Sequence, residues 1–161
     1  MKKTLIAALA IFGAACAAPT TNPPPQTENI LSSQEQAEGW RLLFDGSSLE
    51  GWTLQTPGTW KPSEGTIAHA EEGGMEASGM IWSKEDFGDF ILQCDFKIEP
   101  GCNSGIFFRV GDVEDPVQTG FEMQILDSFA RPIAGSGATH SCGALYDIVP
   151  PCRNLANPAG E

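Results

Sequence analysis

Hydrophobic and polar residues alternate along much of this chain with a period of two, the spacing that sends successive side chains to opposite faces of a β-strand. The longest such stretch runs from Phe90 to Ile98: Phe90, Leu92, Cys94, Phe96 and Ile98 are apolar, while Gln93, Asp95 and Lys97 are polar. One face of this strand is predicted to be buried and the other wet. The run Ile106 to Val110 sends Ile106, Phe108 and Val110 one way and Phe107 and Arg109 the other. Phe121 to Leu126 repeats the arrangement, with Phe121, Met123 and Ile125 on an apolar face and Glu122 and Gln124 opposite. Shorter runs at Trp40 to Phe44, Trp52 to Leu54, Thr66 to Ala70 and Met80 to Ser83 are separated by the turn dipeptides Asp45-Gly46, Pro57-Gly58 and Glu64-Gly65. No window carries a helical apolar stripe of useful length. The pattern predicts an all-β domain, a sandwich of two antiparallel sheets.

Composition narrows this without changing it. A chain of 161 residues with 18 Gly and 12 Pro is too turn-rich for a helical bundle, and 41% hydrophobic content is too high for a disordered one. The length is that of one domain rather than two. With 9 Lys and Arg against 21 Asp and Glu, the formal charge is −12, and no cationic row exists to track phosphates. Nucleic acid is excluded as a partner.

The first residues read as targeting rather than fold. Lys2-Lys3 form a charged start, Leu5 to Phe12 an apolar core too short to span a bilayer, and Gly13-Ala14-Ala15-Cys16 a small-residue processing site. Residues 1–15 are expected to be an export signal. The site resembles a lipobox, which would make Cys16 the lipidated N-terminus of a periplasmic or outer-membrane lipoprotein; the alternative is secretion after cleavage at Ala17 or Ala18. Residues 16–38, with Pro23-Pro24-Pro25, are expected to be a disordered tether. The folded domain is expected over residues 39–161.

Five segments then occur in order: Gly39 to Gly46 with Leu49-Glu50-Gly51-Trp52, Phe87-Gly88-Asp89-Phe90, Asn103 to Arg109, Thr119 to Asp127, and Gly143-Ala144-Leu145-Tyr146-Asp147. Together they resemble the 3-keto-disaccharide hydrolase family, built on a concanavalin-like jelly roll. In that family the closing Pro158-Ala159-Gly160-Glu161 runs on into a Trp and further strands, so the resemblance implies a sandwich missing its last strands. It also implies cleavage of 3-keto-glycosides, sugars oxidised at C3 by a partner sugar 3-dehydrogenase. A C3 ketone acidifies the hydrogen on C2, so a base can remove it and the C1 substituent can leave by elimination, followed by hydration. Such chemistry needs a base, a donor or cation near the C3 oxygen and an acid near the leaving oxygen, and not the flanking carboxylate pair of ordinary glycosidases.

The candidates follow from residue type and position. Glu122, on the polar side of its strand, is a candidate base, and a solvated Glu122–Arg109 pair of little energetic value is the plain alternative. Arg109, permanently charged and rich in donors, suits a developing enolate oxygen. His140, in the Gly-rich loop Gly135 to His140, is a candidate base or acid; His69 carries no motif and reads as structural. Gln124, Asn103 and Tyr146 are candidate substrate contacts. Asp127 reads as a turn cap, or as a metal ligand that with Glu122 and His140 would hold a divalent cation such as Ca²⁺, Mg²⁺ or Mn²⁺. Trp60 and Trp82 suit a core better than a sugar platform. Cys94, Cys102, Cys142 and Cys152 show no zinc spacing, and export favours disulfides; Cys102–Cys142 and Cys142–Cys152 are two candidate bridges, with a free buried thiol expected at Cys94. A non-catalytic carbohydrate-binding module on the same jelly roll is the competing function.

Overall fold

The structure, a computed structural model, describes residues 2–5, 29–69, 79–129, 135–154 and 156–160. The expected signal beyond Leu5, the lipidation candidate Cys16 and the tether as far as residue 28 lie outside the described residues. Among those described, no helix is long and apolar enough to cross a membrane. The chain divides into two compact units, one holding the described residues up to Phe96 and the other those from Lys97 onward.

In the first unit, strands β1 (Lys2–Leu5) and β6 (Phe90–Gln93) pair in parallel, β2 (Trp52–Leu54) pairs antiparallel with β5 (Ile81–Ser83), and β3 (Trp60–Ser63) with β4 (Thr66–His69). The β3–β4 hairpin closes through Glu64 and Gly65 at φ 48° and 78°. Positive φ at both positions gives the turn whose twist matches the flanking strands, and Gly adopts it without a Cβ clash. Trp60 donates Nε1–H to the Gly79 carbonyl at 2.7 Å and meets His69 edge-on at 5.1 Å, a structural placement for both. Phe44 is the buried centre of this unit.

Three expectations are corrected here. The Trp40 to Phe44 run forms no strand; only Leu42 makes a bridge. The long alternation from Phe90 to Ile98 is a strand only over Phe90–Gln93, the four residues paired with β1. The tether also ends earlier than residue 38. Asn29 is buried, donating Nδ2–H to the Gly65 carbonyl at 2.7 Å, and Ser33–Ala37 form a short helix, α1. Ser32 and Glu35 cap it reciprocally: the Ser32 hydroxyl accepts from Glu35 N–H, and the Glu35 carboxylate accepts from Ser32 N–H at 2.7 Å. The capping box was legible in the sequence; a Pro-rich composition next to it hid the signal.

The second unit is built on β7 (Asn103–Phe108) and β8 (Phe121–Leu126), antiparallel over six pairs from Asn103↔Leu126 to Phe108↔Phe121, with the single-turn helix α2 (Pro116–Thr119) leading into β8. On the other side of β8, Gln124 N–H donates to the Ala144 carbonyl at 2.9 Å, and Tyr146 N–H donates to the Glu122 carbonyl at 2.9 Å. Met123 bridges Leu145, so residues 144–146 act as a third strand of this sheet. The buried residues of this unit include Ile125, Leu126, Cys142 and Ala144. The expected loop Gly135–His140 is wound into a 3-10 turn.

The alternation along β8 is as expected and Ile125 is buried as expected, but the rest of the burial differs. Phe121 and Met123, expected inside, are 44% and 48% exposed, whereas Gln124, expected on the wet face, is 4% exposed. Alternation fixes which residues share a face; which face is covered depends on what other chain lies over it.

Candidate active site

The β7–β8 register sets out the site row by row. Phe107 pairs with Glu122, and Gly105 with Gln124. On the other flank the Met123–Leu145 bridge and its two hydrogen bonds set Tyr146 across from Glu122 and Ala144 across from Gln124. Glu122 therefore has an aromatic residue across each ladder. Gln124 has the two smallest, Gly105 and Ala144, which leaves room for longer side chains above them.

Glu122 uses that room. A Cβ at Gly105 would fall 2.7 Å from both Cγ and Cδ of Glu122, with the Oε1 oxygen closer still. The carboxylate lies across the space where Gly105 has no side chain. Burial alone pushes the Glu122 carboxyl above its ordinary range, because desolvation disfavours the charged form. A guanidinium at its side would have worked in the opposite direction.

Gln124 Nε2–H donates to Asn103 Oδ1 at 3.2 Å, joining two of the expected substrate contacts. Its Oε1 is buried and has no hydrogen-bond partner among the described residues. Orphaned buried acceptors are uncommon in folded proteins.

His140 and Tyr146 also meet. Their rings stack with centroids 4.5 Å apart and planes 14° from parallel. His140 Nε2 lies 3.3 Å from Asp147 Oδ1, a partner that residue type and spacing had not singled out although it closes the Gly143 to Asp147 segment. Tyr146 thus joins Glu122 and His140, its backbone on one and its ring on the other.

Two expected residues behave differently. Arg109 follows the last paired residue of β7 with φ 57°, in the left-handed region, so the strand alternation that would set it beside Glu122 stops one residue short. Asp127 is buried, and both its oxygens are engaged: Oδ2 accepts Gly101 N–H at 2.8 Å and Oδ1 accepts Phe129 N–H at 3.1 Å. It ties the turn before β7 to the turn after β8. Among the described residues no three His, Cys, Asp or Glu side chains gather to hold a metal ion, so Glu122, Asp127 and His140 are not brought together into one such group. No step below uses one.

Cys94, Cys102 and Cys142 are not joined in disulfides. Asp127 N–H donates to the Cys102 carbonyl on the β7 side of the sheet, whereas Gly143 N–H, next to Cys142, donates to the Gln124 carbonyl on the opposite side of β8. Two interstrand steps of about 4.8 Å separate such positions, more than the Cα span of a disulfide. Burial pushes the Cys94 thiol up to about 11, so it stays protonated.

Comparison with known proteins places these residues in context. The profile of a family described as the 3-keto-alpha-glucoside-1,2-lyase-like domain matches residues 39–161. A 3-keto-disaccharide hydrolase of Bacteroides thetaiotaomicron is 30% identical over 146 residues, covering 78% of this chain and 50% of that protein. The chain thus spans about half the length of the curated relative it matches. A crystal structure from Parabacteroides distasonis, of a protein proposed to be a glycosyl hydrolase, superimposes with a TM-score of 0.64 at 24% identity, over 83% of this chain and 64% of that one. That likeness shows the fold, an all-β sandwich.

Proposed function

The chain belongs to the 3-keto-alpha-glucoside-1,2-lyase-like domain family, and on that premise we propose that it contributes the Glu122 site of an enzyme cleaving 3-keto-glycosides by elimination and hydration. The observation that carries this reading is the Glu122 carboxyl, held across the gap at Gly105 with its proton affinity raised by burial. A base whose pKa is lifted toward the working pH transfers protons more effectively than an exposed carboxylate.

In this scheme Glu122 takes the C2 proton, and the electrons of that bond move into a C2–C3 enolate. The enolate collapses to a C1–C2 double bond as the C1–O bond breaks. Protonated His140 gives its proton to the departing oxygen. Water then adds at C1, giving its proton to His140, and the proton on Glu122 returns to C2, so both groups regain their starting states and the net change is hydrolysis. Arg109, the residue that follows β7, is assigned to the enolate oxygen as a permanent cation. The Gln124–Asn103 amide pair and the Tyr146 ring serve the sugar hydroxyls and ring face.

The substrate class requires a prior oxidation at C3 by a sugar dehydrogenase. Export through residues 1–15, with Cys16 lipidated, is proposed as the route to a periplasmic or outer-membrane location. The decisive experiment incubates the protein with an aryl 3-keto-glucoside and follows release of the aryl alcohol. Release that is lost in Glu122→Gln supports the reading. No release at any pH, with glycan binding retained, would sink it in favour of a carbohydrate-binding module.

A further inference from the structure

We propose that Asp147 is a positioning residue that holds His140 in the tautomer protonated at Nε2, leaving Nδ1 as the nitrogen that exchanges a proton with substrate. This rests on the role given to His140 above. Three constraints converge on the imidazole. Its plane is set by the stack on Tyr146, with centroids 4.5 Å apart. Its rotation within that plane is set by Asp147 Oδ1, 3.3 Å from Nε2. Asp147 is in turn fixed by its own backbone, which donates N–H to the Thr139 carbonyl at 3.1 Å and sits at φ 59°. Left-handed backbone is rare for residues with a side chain but tolerated by Asp. It folds the chain back so that residue 147 reaches the residue next to its hydrogen-bond partner.

A carboxylate can only accept, so its neighbour on the ring must carry hydrogen. The two imidazole nitrogens therefore have distinct jobs, one fixed by the carboxylate and the other free to act. Tyr146 links this arrangement to Glu122 through the 2.9 Å bond from its N–H to the Glu122 carbonyl. Both His140 and Asp147 are solvent-accessible, as groups meeting a substrate must be.

The test uses ¹⁵N-histidine NMR on the protein without substrate, together with kinetics on an aryl 3-keto-glucoside. In the wild type, His140 is expected to show the Nε2–H tautomer; in Asp147→Ala it should shift to a mixture or to Nδ1–H. The same variant should lose about 10–100-fold in kcat with KM within twofold, and Asp147→Glu should recover part of the loss. A wild-type Nδ1–H tautomer, or an Asp147→Ala spectrum unchanged from wild type, would overturn the proposal. An active His140→Ala would remove the role assigned to His140 in the reaction, whereas the tautomer measurement would still report on whether Asp147 sets the ring.

Discussion

Gly105 and Glu122 are fitted to one another: the carboxylate of Glu122 occupies the space that any side chain at Gly105 would need, 2.7 Å from its Cδ to the position of a Cβ. Gly105 lies inside β7 and does not have positive φ, so its missing Cβ, not backbone freedom, is what the site uses. Because the atoms a Cβ would meet belong to a flexible side chain, Gly105→Ala should displace Glu122 rather than unfold the sheet. Activity on an aryl 3-keto-glucoside is expected to fall about 100-fold, the scale of a 1 Å misplacement, while the melting temperature changes little. A variant with full activity would break the link between this space and function.

Glu122→Gln should lose about 10²–10⁴-fold in kcat, the contribution of one positioned proton-transfer group. Its stability should respond to pH in a defined direction. A carboxyl whose folded pKa is raised contributes stability at low pH that is lost as pH rises through the folded pKa. Gln does not titrate, so denaturant midpoints of the variant should decline less than those of the wild type as pH rises from the acid range to neutrality. Parallel curves for the two proteins would remove burial of Glu122 from the account.

Asp127→Ala removes the acceptor for Gly101 N–H and Phe129 N–H in a buried position. Losing charge-assisted bonds there is expected to cost about 2–4 kcal/mol, measured by urea unfolding, with Asp127→Asn costing less because one acceptor remains. Addition of Ca²⁺ or Mn²⁺ to the wild type should leave the unfolding midpoint unmoved if the role is purely that of a tie; a rise with cation concentration would reinstate a metal here.

Cys102 and Cys142 should remain unbridged to one another even in oxidised protein, since β8 runs between their hydrogen-bonding positions. Alkylation in denaturant without reductant, followed by peptide mass mapping, should find no Cys102–Cys142 cross-linked peptide. Finding that peptide would require a different pairing around β8.

Replacing Phe44 tests the first unit separately. As its buried centre, Phe44→Ala should cost about 3–5 kcal/mol through lost transfer energy and the cavity left behind. A loss under 1 kcal/mol in urea unfolding would mean that the side chain is not held in a packed core.

Much of this protein is written locally. Period-two alternation set β8 at Phe121–Leu126 to the residue, and the dipeptide Glu64-Gly65 set a two-residue hairpin, because strand faces and tight turns depend on neighbours a few positions away. The Gly143 to Asp147 segment contained the His140 partner, and the Ser32–Glu35 spacing contained a helix cap. What sequence could not decide was every relation that depends on a second stretch of chain. The alternation beginning at Phe90 runs to Ile98, but only Phe90–Gln93 are paired as a strand. Arg109 leaves the alternating pattern because pairing ends at Phe108. Phe121 and Met123 face outward while Gln124 is covered, and Glu122 has its place because the β7–β8 register pairs Gly105, seventeen positions earlier, with Gln124, so that the missing side chain lies diagonally across from Glu122. Local chemistry chose the residues and the faces; long-range pairing chose which of them meet.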